Sequence, residues 1–215
     1  MEYRTIKGQA SAEYEEKKSV FIGSVARVST EDEARNFINS IKASHREARH
    51  NVYAYVIGAN CSIQRYSDDG EPQGTGGIPV LEVIKRNNIT DIVIVVTRYF
   101  GGVLLGASGL VRAYSKAAAL AVKEAGIVEK VNAVMLRIRI DYDLLGKIQY
   151  TFNKNNWQID NTEYTDMVEL SIVCEKEKIE EIREALMDIT NNKFTILDQK
   201  EDIYFKENHK FLLNL

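Results

Sequence analysis

The chain has 215 residues, of which 45% are hydrophobic and 27% charged, and a formal net charge of −3. This is soluble globular material, enough for one large domain or two small ones, and it excludes disordered and fibrous classes. No apolar run approaches the roughly 20 residues of a membrane-spanning helix, the opening stretch lacks the apolar core of a signal peptide, and Cys61 and Cys174 form no CxxC pair; a cytoplasmic protein with no membrane association, zinc knuckle or disulfide framework is expected.

Ser19 to Val28 is β-branched and partly alternating, which predicts an early strand of a first sheet. Thr30 lies three residues before Glu33, a capping-box spacing, and Ala34, Phe37, Ile38 and Ile41 recur at helical intervals up to Ser44. Strands are predicted over Val52 to Ala59 and Ile63 to Tyr66, then a turn at Asp69-Gly70 and a short helix with Pro79 in its first turn. Ile92 to Thr97 is continuously apolar and β-branched, as befits a central strand buried on both faces. A long alanine-rich helix follows from Gly106 to Ala125, with Gly126 placed to cap it.

The pattern changes near Lys130. Residues 1–130 carry 17 Lys+Arg against 15 Asp+Glu, whereas residues 131–215 carry 11 against 16, so the halves differ by sign of charge and neither is basic enough to coat duplex DNA. Two domains are expected, 1–130 and 131–215. The second reads as strand Ala133 to Ile140, helix Tyr142 to Asn155, strands Trp157 to Tyr164 and Met167 to Glu175, helix Glu177 to Ile189 and strand Phe194 to Phe205. That order is the ferredoxin-like β-α-β-β-α-β, and the whole is classed as α+β.

Both prolines and eight of the thirteen glycines fall in two segments, SDDGEPQGTGGIP (Ser67 to Pro79) and RYFGGVLLGASGL (Arg98 to Leu110). Such clustering suggests loops shaped around something. Gly101, Gly102 and Gly106 lead from a strand into a helix, where backbone N–H groups and the positive end of the helix dipole favour an anion. Arg98, Arg112 and Lys116 can complete a phosphate or nucleic-acid site. Equally, the glycines can serve close packing while Arg98 pairs with Asp68, Asp69 or Glu71. Those three carboxylates, with His50, form a candidate polar site: enough hard oxygen for magnesium or calcium, or simply a solvated acidic loop, with His50 either a base or a structural hydrogen-bond donor. Three histidines spread through the chain make no metal centre, and no motif calls for a cofactor. Tyr99, Phe100 and Tyr114 add aromatic surface beside the cations, suited to stacking RNA bases or to the core.

Three long stretches, HREARHNVYAYVIG at His45 to Gly58, SDDGEPQGTGGIP, and RYFGGVLLGASGLVRAY at Arg98 to Tyr114, resemble the bacterial YigZ branch of the YigZ/IMPACT family. The resemblance implies a first domain like one in a small-subunit ribosomal protein and in elongation factor G, an α+β sandwich, and a ferredoxin-like second domain similar to another elongation-factor domain. The eukaryotic branch of that family regulates translation under amino-acid stress, which does not by itself supply the role of a bacterial member; a regulator linked to translation or stress that binds RNA, the ribosome or a regulatory protein through the SDDGEP and RYFGG loops is expected here. The competing class is an enzyme acting on a phosphorylated or nucleotide-like small molecule, since GHMP-type kinases are similar in setting a glycine-rich turn before a helix. The chain departs from the usual motifs in having Val52 where many members carry cysteine, Gly76 where alanine is common, and Ala107-Ser108 where a glycine usually precedes the last Gly-Leu. Val52 excludes a thiol nucleophile there.

Overall fold

The computed structural model describes residues 2–213, which form two compact units dividing between Glu129 and Lys130. The first contains β1 (Tyr3–Ile6), β2 (Ala10–Glu16), β3 (Ser19–Arg27), α1 (Glu31–Ser44), β4 (His50–Ile57), β5 (Ile63–Ser67), α2 (Gly77–Arg86), β6 (Ile92–Tyr99) and α3 (Gly106–Ala125). Its five-stranded sheet has the order β2-β3-β6-β4-β5, antiparallel throughout. The Ile92 to Thr97 run is therefore central, although its neighbours are antiparallel. Ile92, Ile94 and Val96 pack with Val80 and Ile84 of α2 and with Ala117 and Ala121 of α3, while Val93 and Val95 face Ala34 and Ile38 of α1. Alternate side chains of one strand thus serve two cores, and the layers run helix, sheet, helix pair.

Local chemistry explains the helix boundaries. Thr30 Oγ1 accepts from the Glu33 N–H at 3.2 Å, but the Glu33 carboxylate returns to the Ser29 N–H at 2.6 Å, one residue earlier than the usual capping box. α3 ends at Gly126, whose φ of 71° lies where a side chain is disfavoured. Lys7 donates its N–H to the Gly126 carbonyl at 2.9 Å, fastening the segment after β1 beside that helix end. The alanine stripe of α3 brings its backbone close to the sheet: a Cβ on Gly23 of β3 would lie 2.5 Å from the Ala117 carbonyl oxygen. Glycine is required there by proximity.

In the chain, β7 (Ile127–Ile140) begins earlier than Ala133 because Ile127 to Val131 is itself β-branched and partly buried. Then come α4 (Tyr142–Asn155), β8 (Gln158–Tyr164), β9 (Val168–Glu175), a single 3₁₀ turn (Lys176–Lys178), α5 (Ile179–Thr190), β10 (Phe194–Glu207) and β11 (Lys210–Leu212). The second sheet runs β11-β10-β7-β9-β8. Leu136 and Ile138 of β7, Leu170 and Ile172 of β9, Ile148 and Phe152 of α4, and Ile182 and Leu186 of α5 share one core, so both helices cover the same face. Among the described residues no helix is long and apolar enough to cross a membrane.

Gly23→Ala is expected to lower stability by about 1–3 kcal/mol, because the added methyl meets helix backbone and cannot be relieved by a rotamer change. Urea unfolding monitored by circular dichroism checks this; an unchanged midpoint would show that α3 has room to retreat.

Candidate functional site

The SDDGEP loop and the end of β6 meet above the first sheet, and nearly every polar group of the loop faces inward. Register pairs His50 with Arg98 and Asn51 with Thr97, placing the start of β4 beside the end of β6. Asp69 has φ 45° and Gly70 φ 88°, the left-handed turn that Asp-Gly favours. That turn brings the Asp69 carbonyl to 2.9 Å from His50 Nδ1, which fixes Nδ1 as the donor. Asp69 Oδ2 accepts the Asn51 N–H at 2.7 Å, and Oδ1 takes Lys42 of α1 at 2.8 Å.

Asp68 caps α2 from a distance. Its Oδ1 accepts the N–H groups of Gly76 at 3.0 Å and Gly77 at 2.8 Å, and Oδ2 that of Gly74 at 2.8 Å, so it supplies the cap that Gly76 has no side chain to make. Burial pushes its carboxyl up, and the three N–H groups outweigh that and hold it below its usual value.

Glu71 completes the loop. Its Oε1 receives Arg98 Nη1 and the Tyr114 hydroxyl, each at 2.7 Å. The side chains of Arg98 and Glu71 are only 7% and 4% exposed, and the guanidinium lies 5.5 Å from the centroids of both Phe21 and Phe100. Burial, then the bond to Glu71, raises the Tyr114 pKa far above its ordinary value, so the hydroxyl is a permanent donor. Tyr99 points to the opposite face of the sheet, where its hydroxyl lies 2.9 Å from His45 Nδ1.

The candidate residues therefore separate into two groups. Arg98 is buried against Glu71, one of the three partners open to it from the sequence. Neither Glu71 nor Asp69 presents a free carboxylate as base or ligand, and His50 is held by a backbone carbonyl. Among the described residues no cluster of three His, Cys, Asp or Glu side chains is placed to hold a metal ion.

Arg112 and Lys116 do face outward. With Lys17, Tyr14, Leu105, Gly109, Ala113 and one carboxylate, Glu16, which accepts the Tyr14 hydroxyl at 2.7 Å, they line a groove of about 270 Å³ between α3 and the β2–β3 turn, a feature that the sequence hides because Lys17 lies in a plain charge run. Gly101 seats the loop beside it: a Cβ there would lie 2.0 Å from the Lys18 carbonyl, and the Gly101 N–H donates to Ser19 Oγ at 3.1 Å. Gly102 and Gly106 have positive φ, 86° and 70°, with open space around them, and the first turn of α3 has no side-chain cap. Between these glycines the loop projects Leu104, 84% exposed, and Val103; Phe100 beside them is 53% exposed.

These features define a two-unit α+β protein whose first unit presents an apolar loop and a basic groove braced by a buried ion pair. The chain belongs to the IMPACT family. Residues 17–122 match the Impact N-terminal domain and residues 138–193 the Domain of unknown function (DUF1949). It is 41% identical over 194 residues to IMPACT family member YvyE of Bacillus subtilis, covering 90% of this chain and 89% of that one. Against IMPACT family member YigZ of Escherichia coli the identity is 33%, covering 86% and 92%. The crystal structure of a hypothetical protein superposes with a TM-score of 0.59 at 30% identity, covering 91% of this chain and 96% of that one. The Protein IMPACT homolog of Dictyostelium discoideum matches over 94 residues only, at 38% identity, covering 42% of this chain and 27% of that protein.

Two substitutions test the bracing. Glu71→Ala is expected to cost about 3–5 kcal/mol by leaving a buried guanidinium uncompensated, and Tyr114→Phe about 1 kcal/mol, both read from urea midpoints. Asp68→Asn tests the remote cap through pH. Because the folded carboxyl titrates below the unfolded one, its contribution is complete above the unfolded pKa of about 3.9 and is lost as pH falls through the lower folded value. The stability gap between wild type and Asp68→Asn should be widest near pH 7 and close in acid; a gap that is constant with pH would overturn the assignment.

Proposed function

We propose that the chain is a regulatory protein linked to translation, and that it works by docking a macromolecular partner through the RYFGG loop and the Arg112/Lys116 groove. The carrying observation is the exposed Phe100, Val103 and Leu104 beside outward-facing Lys17, Arg112 and Lys116. Large apolar side chains held out at a loop tip mark an interaction surface, and a cationic border suits an acidic partner. Of the candidate partners, a protein with an acidic rim, on or off the ribosome, is favoured over bare RNA, because Leu104 and Val103 offer little to a phosphate backbone. The SDDGEP loop takes part as a brace: Asp68, Asp69 and Glu71 hold the turn, α2 and Arg98 in place so that Phe100 and the loop after it keep their course.

Family membership supports the same reading. The part shared with the Dictyostelium IMPACT homolog is short, and the Impact N-terminal domain match falls in the unit that carries this surface. For the fold we infer an elongation-factor-G-like sandwich in the first unit and a ferredoxin-like second unit. The latter is supported by the order β10-β7-β9-β8 and by two helices on one face.

Cosedimentation of the full chain with ribosomes and with ribosome-free cytosol from its host, at about 50 and 200 mM salt, tests the proposal. Wild type should enter a large complex; Leu104→Asp and the pair Arg112→Glu with Lys116→Glu should each release it without moving the unfolding midpoint. Loss with the charge pair but not with Leu104→Asp would point to RNA instead. No complex from either fraction at low salt would refute the proposal.

A further inference from the structure

The second unit contains a cleft of about 1210 Å³, far larger than the groove on the first unit, and every described residue lining it lies between Gln149 and Phe211. It opens between the C-terminal end of α4, the start of β8, the end of β9 and the β10–β11 hairpin. The hairpin is fastened by one carboxamide: Gln158 Oε1 accepts the Phe211 N–H at 2.8 Å and Gln158 Nε2 donates to the Phe211 carbonyl at 3.3 Å. Lys206 of β10 holds Glu175 of β9 in an ion pair. The cleft walls are thus built and pinned, and the carbonyls of Phe152 and Asn153 near the end of α4 are already taken by the N–H groups of Trp157 and Asn156.

Its charge runs against its surroundings. Residues 131–215 carry 16 acidic side chains against 11 Lys+Arg, yet among the described residues the lining holds Lys178, Lys206 and Lys210, with His209 beside them, against the carboxylate of Glu175. Hydrogen bonding by Lys206, then the nearby charges of Lys206 and Lys178, outweigh burial and keep Glu175 below the ordinary carboxylate range. Trp157, edge-on to Phe152 at 5.3 Å, and Phe211 add aromatic surface, and Asn153 and Gln149 add carboxamides able to donate and accept. Inorganic phosphate would leave most of this volume empty, whereas pockets of this order hold molecules with an apolar or aromatic body and a few polar groups.

We propose that this cleft binds a nucleoside phosphate, with the phosphate on Lys178 and Lys210 and the base against Trp157 and Phe211. Lysine ammonium groups serve phosphate as point charges, while stacking on aromatic side chains accepts any base. The ligand is a free nucleotide or one nucleotide of an RNA strand. This site lies in a different unit from the docking surface and stands independently of it.

Trp157 is the only tryptophan in the chain, so its emission reports the cleft directly. The full chain is titrated with AMP, ATP, a short oligouridylate and inorganic phosphate at about 50 mM salt. A saturable change in emission with a nucleotide or with the oligonucleotide is expected, weakened at least about tenfold in the double variant Lys178→Ala, Lys210→Ala, and unchanged in Arg112→Ala. Lys178 and Lys210 are exposed, so that variant keeps its unfolding midpoint. Saturation by AMP or ATP identifies a free nucleotide, and saturation by the oligonucleotide alone an RNA strand. No saturable response to any of the three nucleotide probes, an equal affinity for inorganic phosphate, or an unweakened double variant overturns the proposal.

Discussion

Glu71 and Arg98 are both almost wholly removed from water, and an ion pair in that position is stable only while each partner keeps the other. This mutual dependence organises the first unit. Arg98 is one residue from the end of β6, Glu71 on the loop after β5, and Tyr114, which shares the same carboxylate oxygen, in the third turn of α3. One oxygen atom therefore joins the central strand, the acidic loop and the long helix. The Phe21 and Phe100 rings on the guanidinium exclude water from it, which strengthens the pairing and raises the cost of losing it.

Because the pair occupies the ground between the two glycine-rich segments, the remaining polar groups of SDDGEP serve the same internal end. Asp68 holds the start of α2, and Asp69 joins α1 to β4 through Lys42 and the Asn51 N–H. Three carboxylates in four positions are satisfied by donors from the loop itself and from α1, α2, α3, β4 and β6. What faces solvent is then the continuation of β6, where Gly101 crosses the Lys18 backbone and the chain turns out toward Leu104. A rigid base under a short projecting loop lowers the entropy that the loop loses on binding, which is the arrangement a docking surface favours.

Much of the fold was legible in the sequence for reasons that are local. α3 runs over Gly106–Ala125 and α4 over Tyr142–Asn155 as periodicity and cap chemistry predict, and the Ile92 to Thr97 run is central because nothing polar interrupts it. β1, β2 and β11 were not legible: ASAEYEE alternates, but two of its three inward residues are alanines and its outward ones are mostly glutamates, poor strand formers, and three- or four-residue strands are defined by their partners. At the site, sequence identified Arg98 and its three possible carboxylate partners but not the choice among them, since that choice depends on a left-handed turn at Asp69 and on a tyrosine sixteen residues along the chain from Arg98. The cleft of the second unit was invisible because Lys178, Lys206 and Trp157 converge only after the hairpin folds back.

The seat of the SDDGEP loop on β4 is set by packing. Val52 of β4 and Gly76, 24 positions apart in the chain, abut: a Cβ on Gly76 would lie 2.8 Å from Val52 Cγ2 and 3.0 Å from Cγ1. Gly76 has φ −125°, which any residue can adopt, so its glycine answers to Val52 and not to the backbone. The loop's seat on β4 is thus a packing constraint equal in standing to the ion pair above it: the N–H of Gly76 must reach Asp68 while its Cα rests on Val52, and only a residue without a side chain meets both conditions here.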